Sequence, residues 1–206
     1  VSSDAAFYLA AEANRHSPDN PLYIVAIGAI TNVASAILLN KKGMCENTVV
    51  IWLGGNSIHW SDNREFNCKQ DVAAARVVFG SDVPLVQLPC NGVVNHFLTT
   101  EYELKHWLSG KNALADYLVE NTIKEAESYA AGMPWSRCIW DVTAVAWLLN
   151  DNNRFMTGYP MPRPIPQYDH KYSFDPRNKP MLYIDYIRRD TLFQDLFAKI
   201  SQFDRL

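Results

Sequence analysis

The residues best suited to chemistry stand in a polar loop that follows an apolar run. Residues 49–53 form the run, which is typical of a strand buried on both faces of a parallel sheet, and Gly54-Gly55 then lets the backbone turn sharply. In open α/β sheets ligands bind beyond the carboxyl ends of the strands, so this loop leaves its strand where a binding site is expected. A solvated surface loop is the alternative. The polar and aromatic residues of the loop are His59, Trp60, Asp62, Asn63, Glu65 and Asn67.

Two acidic positions stand out. In Glu65-Phe66-Asn67 the alternation turns a carboxylate and an amide to one side and an aromatic ring to the other. Asp141 stands near the start of the strongly apolar segment 140–149, where the helix dipole favours a carboxylate as a cap. Carboxylate oxygens are also the ligands of calcium. The spacing leaves both roles of Asp141 open.

The elements that must position these residues predict an α/β layered domain. Residues 22–27, 49–53 and 84–89 have buried-strand patterns with helical patterns between them. We expect 22–27, 49–53 and 85–88 to be adjacent parallel strands, with Gly28, Gly54 and Pro89 at one common edge. The helix starts are predicted at Ser2, Ser3 and Asp4, at Thr31 or Asn32, and at Gln70 or Asp71, while residues 40–47 return the chain to its second strand.

The second half is mainly helical. Helices are predicted at 100–108, 112–131, 140–149 and 190–203, the first begun by the capping-box pattern of Thr100 and Glu103. Residues 181–187 have a strand pattern, and residues 150–175, rich in Pro, Asn and Tyr, are interpreted as an ordered surface excursion. No linker separates two cores, so we expect a single α/β domain over residues 1–206.

Composition excludes several classes of protein. The 206 residues carry a net charge of −3, which gives no electrostatic case for binding nucleic acid or an anionic membrane. No apolar run approaches the roughly 20 residues of a transmembrane helix. The four cysteines lack a C-x-x-C spacing and are interpreted as buried thiols of a reduced compartment, with a disulfide as the alternative. We therefore expect a cytoplasmic protein.

Four segments carry a resemblance to a known family: VAIGAITNVASAIL, VVIWLGGN, REFNCKQDVAAARVVFGSDVPL and IWDVTAVAWLL, in that order. Together they resemble the inosine-uridine preferring nucleoside hydrolases over nearly the whole chain. The resemblance implies an open, mostly parallel sheet flanked by helices, related to the Rossmann type. It also implies a hydrolase that cleaves the N-glycosidic bond of ribonucleosides in purine and pyrimidine salvage, with a tightly bound calcium ion.

The resemblance also implies roles for individual residues. The backbone carbonyl of Ile27 and the carboxylate of Asp141 match metal ligands of the family. Glu65 and Asn67 match residues that bind the ribose hydroxyls, and Phe66 one that lies near the base. Leu53 replaces a usual Met, while Asn56 and Asn63 are both imperfect matches to a ribose-binding asparagine. The implied substrate-binding residues are Leu53, Asn56, Glu65, Phe66, Asn67 and Trp140.

Two departures from the family pattern matter. Trp140 stands where many members have a histidine that protonates the leaving base; an indole cannot do this, although it can stack on a base. His59 is a candidate acid, with an ordinary surface histidine as the alternative. The family's aspartate cluster D-x-D-x-x-x-D-D, source of the general base and two further calcium carboxylates, has no counterpart in this chain.

These departures lead to specific expectations. The resemblance begins roughly a third of the way into a typical member, so we expect N-terminal strands to be missing and the domain to be incomplete. We expect this chain alone to hold calcium weakly and to be inactive. Its open sheet flank is expected to pair with an N-terminal segment or with a second copy in a homo-oligomer. The alternatives are a ribonucleoside-binding relative without turnover and an inactive remnant.

Overall fold

The computed structural model describes residues 3–203, which form a five-stranded central sheet with helices on both faces. The helices are α1 (Asp4–Glu12), α2 (Thr31–Leu39), α3 (Lys41–Asn47), α4 (Phe66–Gln70), α5 (Val72–Gly80), α6 (Glu101–Leu108), α7 (Ala113–Ala130), α8 (Val142–Trp147) and α9 (Arg189–Ser201). The strands are β1 (Leu22–Ala26), β2 (Thr48–Leu53), β3 (Leu85–Leu88), β4 (Leu98–Thr99), β5 (Arg137–Cys138), β6 (Met156–Pro162), β7 (Ile165–Pro166), β8 (Tyr172–Ser173) and β9 (Pro180–Ile187).

The central sheet has the strand order β1-β2-β3-β9-β6. The first four strands are parallel, and β6 runs antiparallel to β9 at one edge. In the register, Ala26 lies opposite Trp52 and Leu53 lies opposite Leu88, so the carboxyl ends of β1, β2 and β3 are level. The predicted parallel strands are confirmed, as is the open, mostly parallel α/β class.

The apolar run in β2 follows from burial on both faces. Val50 and Trp52 belong to the core that α1, α2, α3 and α5 cover, whereas Ile51 and Leu53 belong to the core under α6, α7, α8 and α9. All four side chains are at most 1% exposed. A strand of a half-solvated sheet would alternate with polar residues, so the continuous run marks a strand at the centre of the fold.

Three of the predicted helix starts are confirmed and one is wrong. The Asp71 carboxylate accepts from the Ala74 amide at 2.9 Å and caps α5, and the Thr100–Glu103 capping box begins α6. Neither Thr31 nor Asn32 caps α2, because the cap position is Ile30, which makes no side-chain bond. The Thr31 hydroxyl instead donates to the Asp71 carboxylate at 2.6 Å, a stronger acceptor that ties α2 to α5. Ser3 caps α1, while Ser2 lies outside the described residues.

Three other segments differ from the predictions. Residues 40–47 contain α3, capped by Asn40, rather than a simple return segment. The excursion at 150–175 contains β6, whose prolines are tolerated because it is an edge strand. The helix predicted at 140–149 is the shorter α8.

The four cysteines are free thiols; Cys68 and Cys90 are buried, whereas Cys45 and Cys138 are only half-buried. Between residues 3 and 203, no helix has the length and apolar character needed to cross a membrane.

Candidate functional site

A cavity of about 500 Å³ lies where the carboxyl ends of β1, β2 and β3 meet. Its volume is within the range of small-molecule sites. Clefts of similar volume exist elsewhere, but in one of them the acidic side chains of Glu103 and Asp190 are already paired with Arg189. The lining residues are Ile27, Leu53, Arg64, Glu65, Phe66, Asn67, Lys69, Cys90, Asn91, Trp140 and Asp141.

The cavity brings together residues that are far apart in the sequence. Ile27 follows β1, Leu53 ends β2, and Asp141 immediately precedes α8. The level carboxyl ends of the strands make this convergence possible. Of the residues singled out in the sequence, the cavity collects Ile27, Leu53, Glu65, Phe66, Asn67, Trp140 and Asp141.

Glu65 is held almost rigidly by backbone amides. One carboxylate oxygen, Oε2, accepts from the amides of Gly55 at 2.9 Å and Cys68 at 2.8 Å. The other, Oε1, accepts from the Asn67 amide at 2.8 Å. Glu65 therefore caps the short helix α4 and anchors the turn after β2 at the same time. A carboxylate has about four acceptor positions, so one position on Oε1 stays available to a ligand.

Asn67 joins the ends of two strands. Its side-chain Nδ2 donates to the carbonyl oxygen of Leu53 at 2.8 Å and to that of Ile27 at 3.3 Å. Both hydrogens of the amide are thus used, and Oδ1 is left as an acceptor at the cavity wall. Glu65 and Asn67 are both buried while Phe66, between them, is 68% exposed, so the predicted sidedness of this tripeptide is confirmed.

The turn after β2 depends on glycine. Gly55 has a φ of +75°, and a Cβ there would lie 2.4 Å from the Tyr172 hydroxyl. Gln87, a fully buried residue of β3, donates through Nε2 to the carbonyl of Gly54 and to the Tyr172 hydroxyl. Burial raises the pKa of the Tyr172 phenol well above its usual value, so the hydroxyl stays protonated. Gln87 and Tyr172 therefore hold in place the turn whose Gly55 amide donates to Glu65.

Asn56 and Asn63 lie within the loop rather than on the cavity wall. Asn56 is buried; its Oδ1 accepts from Asn91 Nδ2 at 2.8 Å, and its Nδ2 donates to the Asp62 carbonyl at 3.0 Å. Asn63 Oδ1 accepts from the Asn56 amide at 2.7 Å. His59 is exposed and is not among the cavity-lining residues. Asn56, one of the two imperfect matches to a ribose-binding asparagine, thus positions Asn91, which does line the cavity.

Asp141 differs from Glu65 in having no partner. Its side chain makes no capping bond to α8, so the simple cap role is absent, and no hydrogen bond joins its carboxylate to any residue that the structure describes. Partial desolvation by the cavity raises the pKa of the Asp141 carboxyl above its usual value. A negative charge that lacks compensation at a ligand cavity is the arrangement expected of a residue that binds a cation.

The donor chemistry fits calcium in part. Asp141 and Ile27 line the same cavity, and a carboxylate and a backbone carbonyl are oxygen donors of the kind calcium prefers. Calcium takes six to eight oxygens, however. Within residues 3–203 no group of three or more His, Cys, Asp or Glu side chains could hold a metal ion. Asp141 and Ile27 thus offer two ligand groups of a larger set.

Aromatic groups occupy the outer part of the cavity. Trp140 is half-buried and Phe66 is mostly exposed, and both line it. Flat apolar surfaces of this kind suit a planar ring. The cavity thus combines acceptors for hydroxyl groups, a free carboxylate and stacking surfaces.

Four lining residues were missed by the sequence reasoning: Arg64, Lys69, Cys90 and Asn91. Cys90 and Asn91 come just after β3, and the carboxyl-end rule that singled out the loop after β2 would have found them too. Burial, and secondly the nearby Glu65 carboxylate, raise the pKa of the Cys90 thiol far above its usual range, so it stays protonated. Arg64 and Lys69 carried no pattern beyond a charged surface.

Solved structures share this fold. The purine-preferring ribonucleoside hydrolase from Gardnerella vaginalis superposes with a TM-score of 0.78 at 21% identity, covering 98% of this chain and 66% of that one. The plant nucleoside hydrolase PpNRh1 gives a TM-score of 0.77 at 19% identity, covering 98% of this chain and 67% of that one. At such identities the likeness shows the fold alone.

Sequence comparison gives a more specific result. The pyrimidine-specific ribonucleoside hydrolase RihB of Escherichia coli O1:K1 is 28% identical over 138 residues, which are 64% of this chain and 43% of that protein. The chain spans about half the length of the curated relatives it matches. The family model described as inosine-uridine preferring nucleoside hydrolase matches residues 1–180.

Proposed function

Because the chain belongs to the inosine-uridine preferring nucleoside hydrolase family, we propose that its cavity binds ribonucleosides for hydrolysis of their N-glycosidic bond to free base and ribose. The observation that carries the proposal is the convergence of Glu65, Asn67 and Asp141 on one cavity at the carboxyl ends of the strands. In the reaction, water adds to C1′ as the bond from C1′ to the base nitrogen breaks through an oxocarbenium-like state.

The sugar is held by acceptors that the fold has already oriented. Each of Glu65 Oε1 and Asn67 Oδ1 has a free acceptor position, and a ribose offers two neighbouring hydroxyl donors. Because the backbone fixes both side chains, little conformational entropy is lost when the sugar binds. A 2′-deoxyribose would leave one buried acceptor unpaired, which is costly, so the site should favour ribose.

Asp141 and the carbonyl of Ile27 would hold the calcium ion. When bound, calcium supplies a positive charge that attracts sugar hydroxyls and lowers the pKa of a bound water. The chain's own contribution is an ionised carboxylate without an internal partner and a carbonyl that Asn67 orients at 3.3 Å. Asp141 and Ile27 line the same cavity as the sugar acceptors.

The leaving base would lie between the aromatic groups of the outer cavity. Trp140 offers a stacking surface and cannot act as the acid, because its N–H is only weakly acidic. Stacking on Trp140 would favour the larger purine rings. The leaving base then takes its proton from water rather than from a residue of this cavity.

We also propose that turnover requires carboxylates beyond those of the 206 residues. A general base contributes about 10² to 10⁴-fold, and the lining residues offer no free carboxylate other than Asp141 for that role. A segment with the family's aspartate pattern, present as an extension or as a second chain, would complete the metal site. Strand β1 at the sheet edge is where such a segment or a second copy would pair.

The test is release of free base and ribose from inosine, adenosine and uridine, measured with calcium and with a chelator. The 206-residue chain should give little or no turnover, and the chain supplied with an aspartate-bearing segment should give calcium-dependent turnover. Asp141→Ala in the supplemented protein should abolish it. Calcium-dependent turnover by the 206-residue chain alone would show that the further carboxylates are not needed.

The second candidate is a ribonucleoside-binding relative without turnover. Two features favour it: Trp140 in place of the family's acid, and the lack of the aspartate cluster. Under this alternative, ribonucleosides bind and no base is released even after an aspartate-bearing segment is supplied. The same assay therefore decides between the two.

A further inference from the structure

The loop between β2 and α4 is bonded to a hairpin from a distant part of the chain. The hairpin consists of β7, β8 and the turn between them, residues 165–173. The Asn63 amide donates to the His170 carbonyl at 2.8 Å, and the Tyr172 hydroxyl donates to the Asn56 carbonyl at 3.3 Å. None of the hairpin residues lines the cavity, so their effect on a ligand must pass through the loop.

The hairpin is itself fixed to the domain at two points. Arg76 of α5 donates through Nη1 to the Pro166 carbonyl at 2.8 Å and to Gln167 Oε1 at 2.7 Å. The Tyr172 hydroxyl accepts from Nε2 of Gln87 at 3.1 Å, and Gln87 is a fully buried residue of the central sheet. A segment that is anchored in this way restricts the conformations of the loop that it contacts.

The loop in turn determines the orientation of the Asn91 side chain. The Asn91 backbone amide, which can only donate, bonds to Asn56 Oδ1 at 3.3 Å, so the atom of the Asn56 amide that faces Asn91 is the oxygen. The same oxygen accepts from Asn91 Nδ2 at 2.8 Å. The Ser57 amide also donates to the Asn91 carbonyl at 2.8 Å. Asn91 is thus held by three bonds to the loop, and its side-chain nitrogen is turned towards Asn56.

This orientation leaves two hydrogen-bonding groups of Asn91 free. A side-chain amide has two N–H donors and one carbonyl oxygen. Asn56 takes one N–H, while the second N–H and Oδ1 have no partner among the residues that the structure describes. Asn91 is half-buried and lines the cavity. An amide that is already oriented can pair with a polar group of a ligand at little cost in conformational entropy.

We propose that Asn91 is a further ligand-binding residue of the cavity and that Tyr172 is its positioning residue. Tyr172 holds the backbone of Asn56, and Asn56 presents the Asn91 amide to the ligand. The ligand role of Asn91 rests on the proposed function, in which the ligand is a ribonucleoside. Both parts of a ribonucleoside, the base and the sugar, carry donors or acceptors that pair with an amide.

A double-mutant cycle tests the proposal, with uridine titrated calorimetrically into the 206-residue chain in the presence of calcium. Asn91→Ala should weaken uridine binding about fivefold, the loss expected for one hydrogen bond. Tyr172→Phe should weaken it about two- to fivefold, because the Asn56 carbonyl loses its donor. The double variant should bind uridine no more weakly than Asn91→Ala alone, because Tyr172 acts through Asn91.

Two further variants of the hairpin sharpen the cycle. Tyr168→Phe is the matched control, since Tyr168 is 68% exposed and its hydroxyl makes no hydrogen bond within residues 3–203; uridine binding should be unchanged. Lys171→Met removes the bond from the exposed Lys171 ammonium to the Ser61 carbonyl without a change in the core. It should weaken uridine binding in the wild-type background and not in the Asn91→Ala background. Thermal unfolding verifies that each variant is folded.

Hydrogen exchange tests the positioning role without a ligand. The Asn91 amide donates to Asn56, and the Asn56 amide donates to Asn63 Oδ1 at 2.7 Å, so both amides should be protected. Tyr172→Phe should speed the exchange of both about fivefold, and Tyr168→Phe should leave them unchanged. Equal exchange rates in the wild type and in Tyr172→Phe would overturn the positioning role.

The binding results separate this inference from the proposed function. If the losses for Tyr172→Phe and Asn91→Ala multiply in the double variant, the inference is overturned, because Tyr172 then acts by another route. Unchanged uridine binding by Asn91→Ala also overturns it and leaves the proposed function standing. If the wild type does not bind uridine, the proposed function fails and the ligand role of Asn91 fails with it, while the exchange rates decide the positioning role.

Discussion

The two walls of the cavity are built in opposite ways. On one wall Glu65 and Asn67 are buried, and five hydrogen bonds to backbone groups hold them in place. On the other wall Asp141 precedes α8 and makes no capping bond to it, and partial desolvation raises the pKa of its carboxyl. The first wall is complete within the chain, and the second carries a charge that the described residues leave uncompensated.

The difference teaches which residues serve the fold and which serve a ligand. A side chain that satisfies buried amides stabilises the protein whether or not it also binds a substrate. The Asp141 side chain is exposed and only partly desolvated, so its lack of partners costs little stability and leaves its charge open to a ligand. Substitutions at the two walls should therefore change stability in opposite directions, and the following predictions test that contrast in order of expected size.

The largest effect is expected for Glu65→Ala. It leaves the amides of Gly55, Asn67 and Cys68 without an acceptor in a buried region, which should lower the free energy of unfolding by about 3–5 kcal/mol. Chemical denaturation measures this, with Asp141→Ala as the matched control on the opposite wall. Equal losses in the free energy of unfolding for Glu65→Ala and Asp141→Ala would contradict the contrast between the walls.

A smaller loss is expected for Asn67→Ala. Two side-chain bonds to the carbonyls of Leu53 and Ile27 disappear, which should cost about 1–2 kcal/mol. The neighbouring variant Phe66→Ala, at an exposed position, should change stability by less than about 0.5 kcal/mol. A neutral Asn67→Ala would mean that the strand ends do not need this bridge.

Trp140→Ala should affect ligand affinity more than stability. Stacking on an aromatic ring contributes about 0.5–1.5 kcal/mol, so inosine and adenosine should bind roughly 2- to 10-fold more weakly and uridine should lose less. Trp140→Phe should keep most of the affinity, since it retains a stacking surface. Equal losses for purine and pyrimidine ribosides would argue against stacking.

The smallest effect is expected for Asp141→Asn, and it depends on pH. The folded protein holds the Asp141 proton more tightly than the unfolded chain, so its stability falls as the pH rises from about 3.9 through the raised folded-state pKa. In calcium-free buffer the variant should melt slightly higher than the wild type at pH 7, and the two should converge below about pH 4. A variant that melts lower at pH 7 would reveal a stabilising partner of Asp141.

The central strands were predictable because a strand buried on both faces has a continuous apolar run in its sequence. This explains the runs at 49–53 and 85–88, whereas β1 is an edge strand in which only Ile24 is buried. The parallel register places the carboxyl ends of all three strands together. Strand β6 could not be predicted in this way, since an edge strand with two prolines has neither the composition nor the alternation of a central strand. Short α3 was missed because its seven residues are too few to show a helical period.

The sequence predicted which residues line the site better than it predicted their hydrogen bonds. The loop rule and the family resemblance named Glu65, Asn67 and Asp141, and all three line the cavity. Spacing alone could not reveal that Glu65 caps α4, because glutamate is not a preferred capping residue and α4 has only five residues. Asn56 was named as a ligand residue although its side chain bonds within the loop, a distinction that depends on tertiary contacts with Asn91.

The most direct test of the central claim is a comparison of uridine and 2′-deoxyuridine binding to the 206-residue chain with calcium present. If Glu65 and Asn67 form a preformed clamp for ribose hydroxyls, loss of one hydroxyl leaves a buried acceptor without a donor, which costs about 1–3 kcal/mol. The account predicts that uridine binds at least about fivefold more tightly than 2′-deoxyuridine. Equal affinities for the two nucleosides would contradict it.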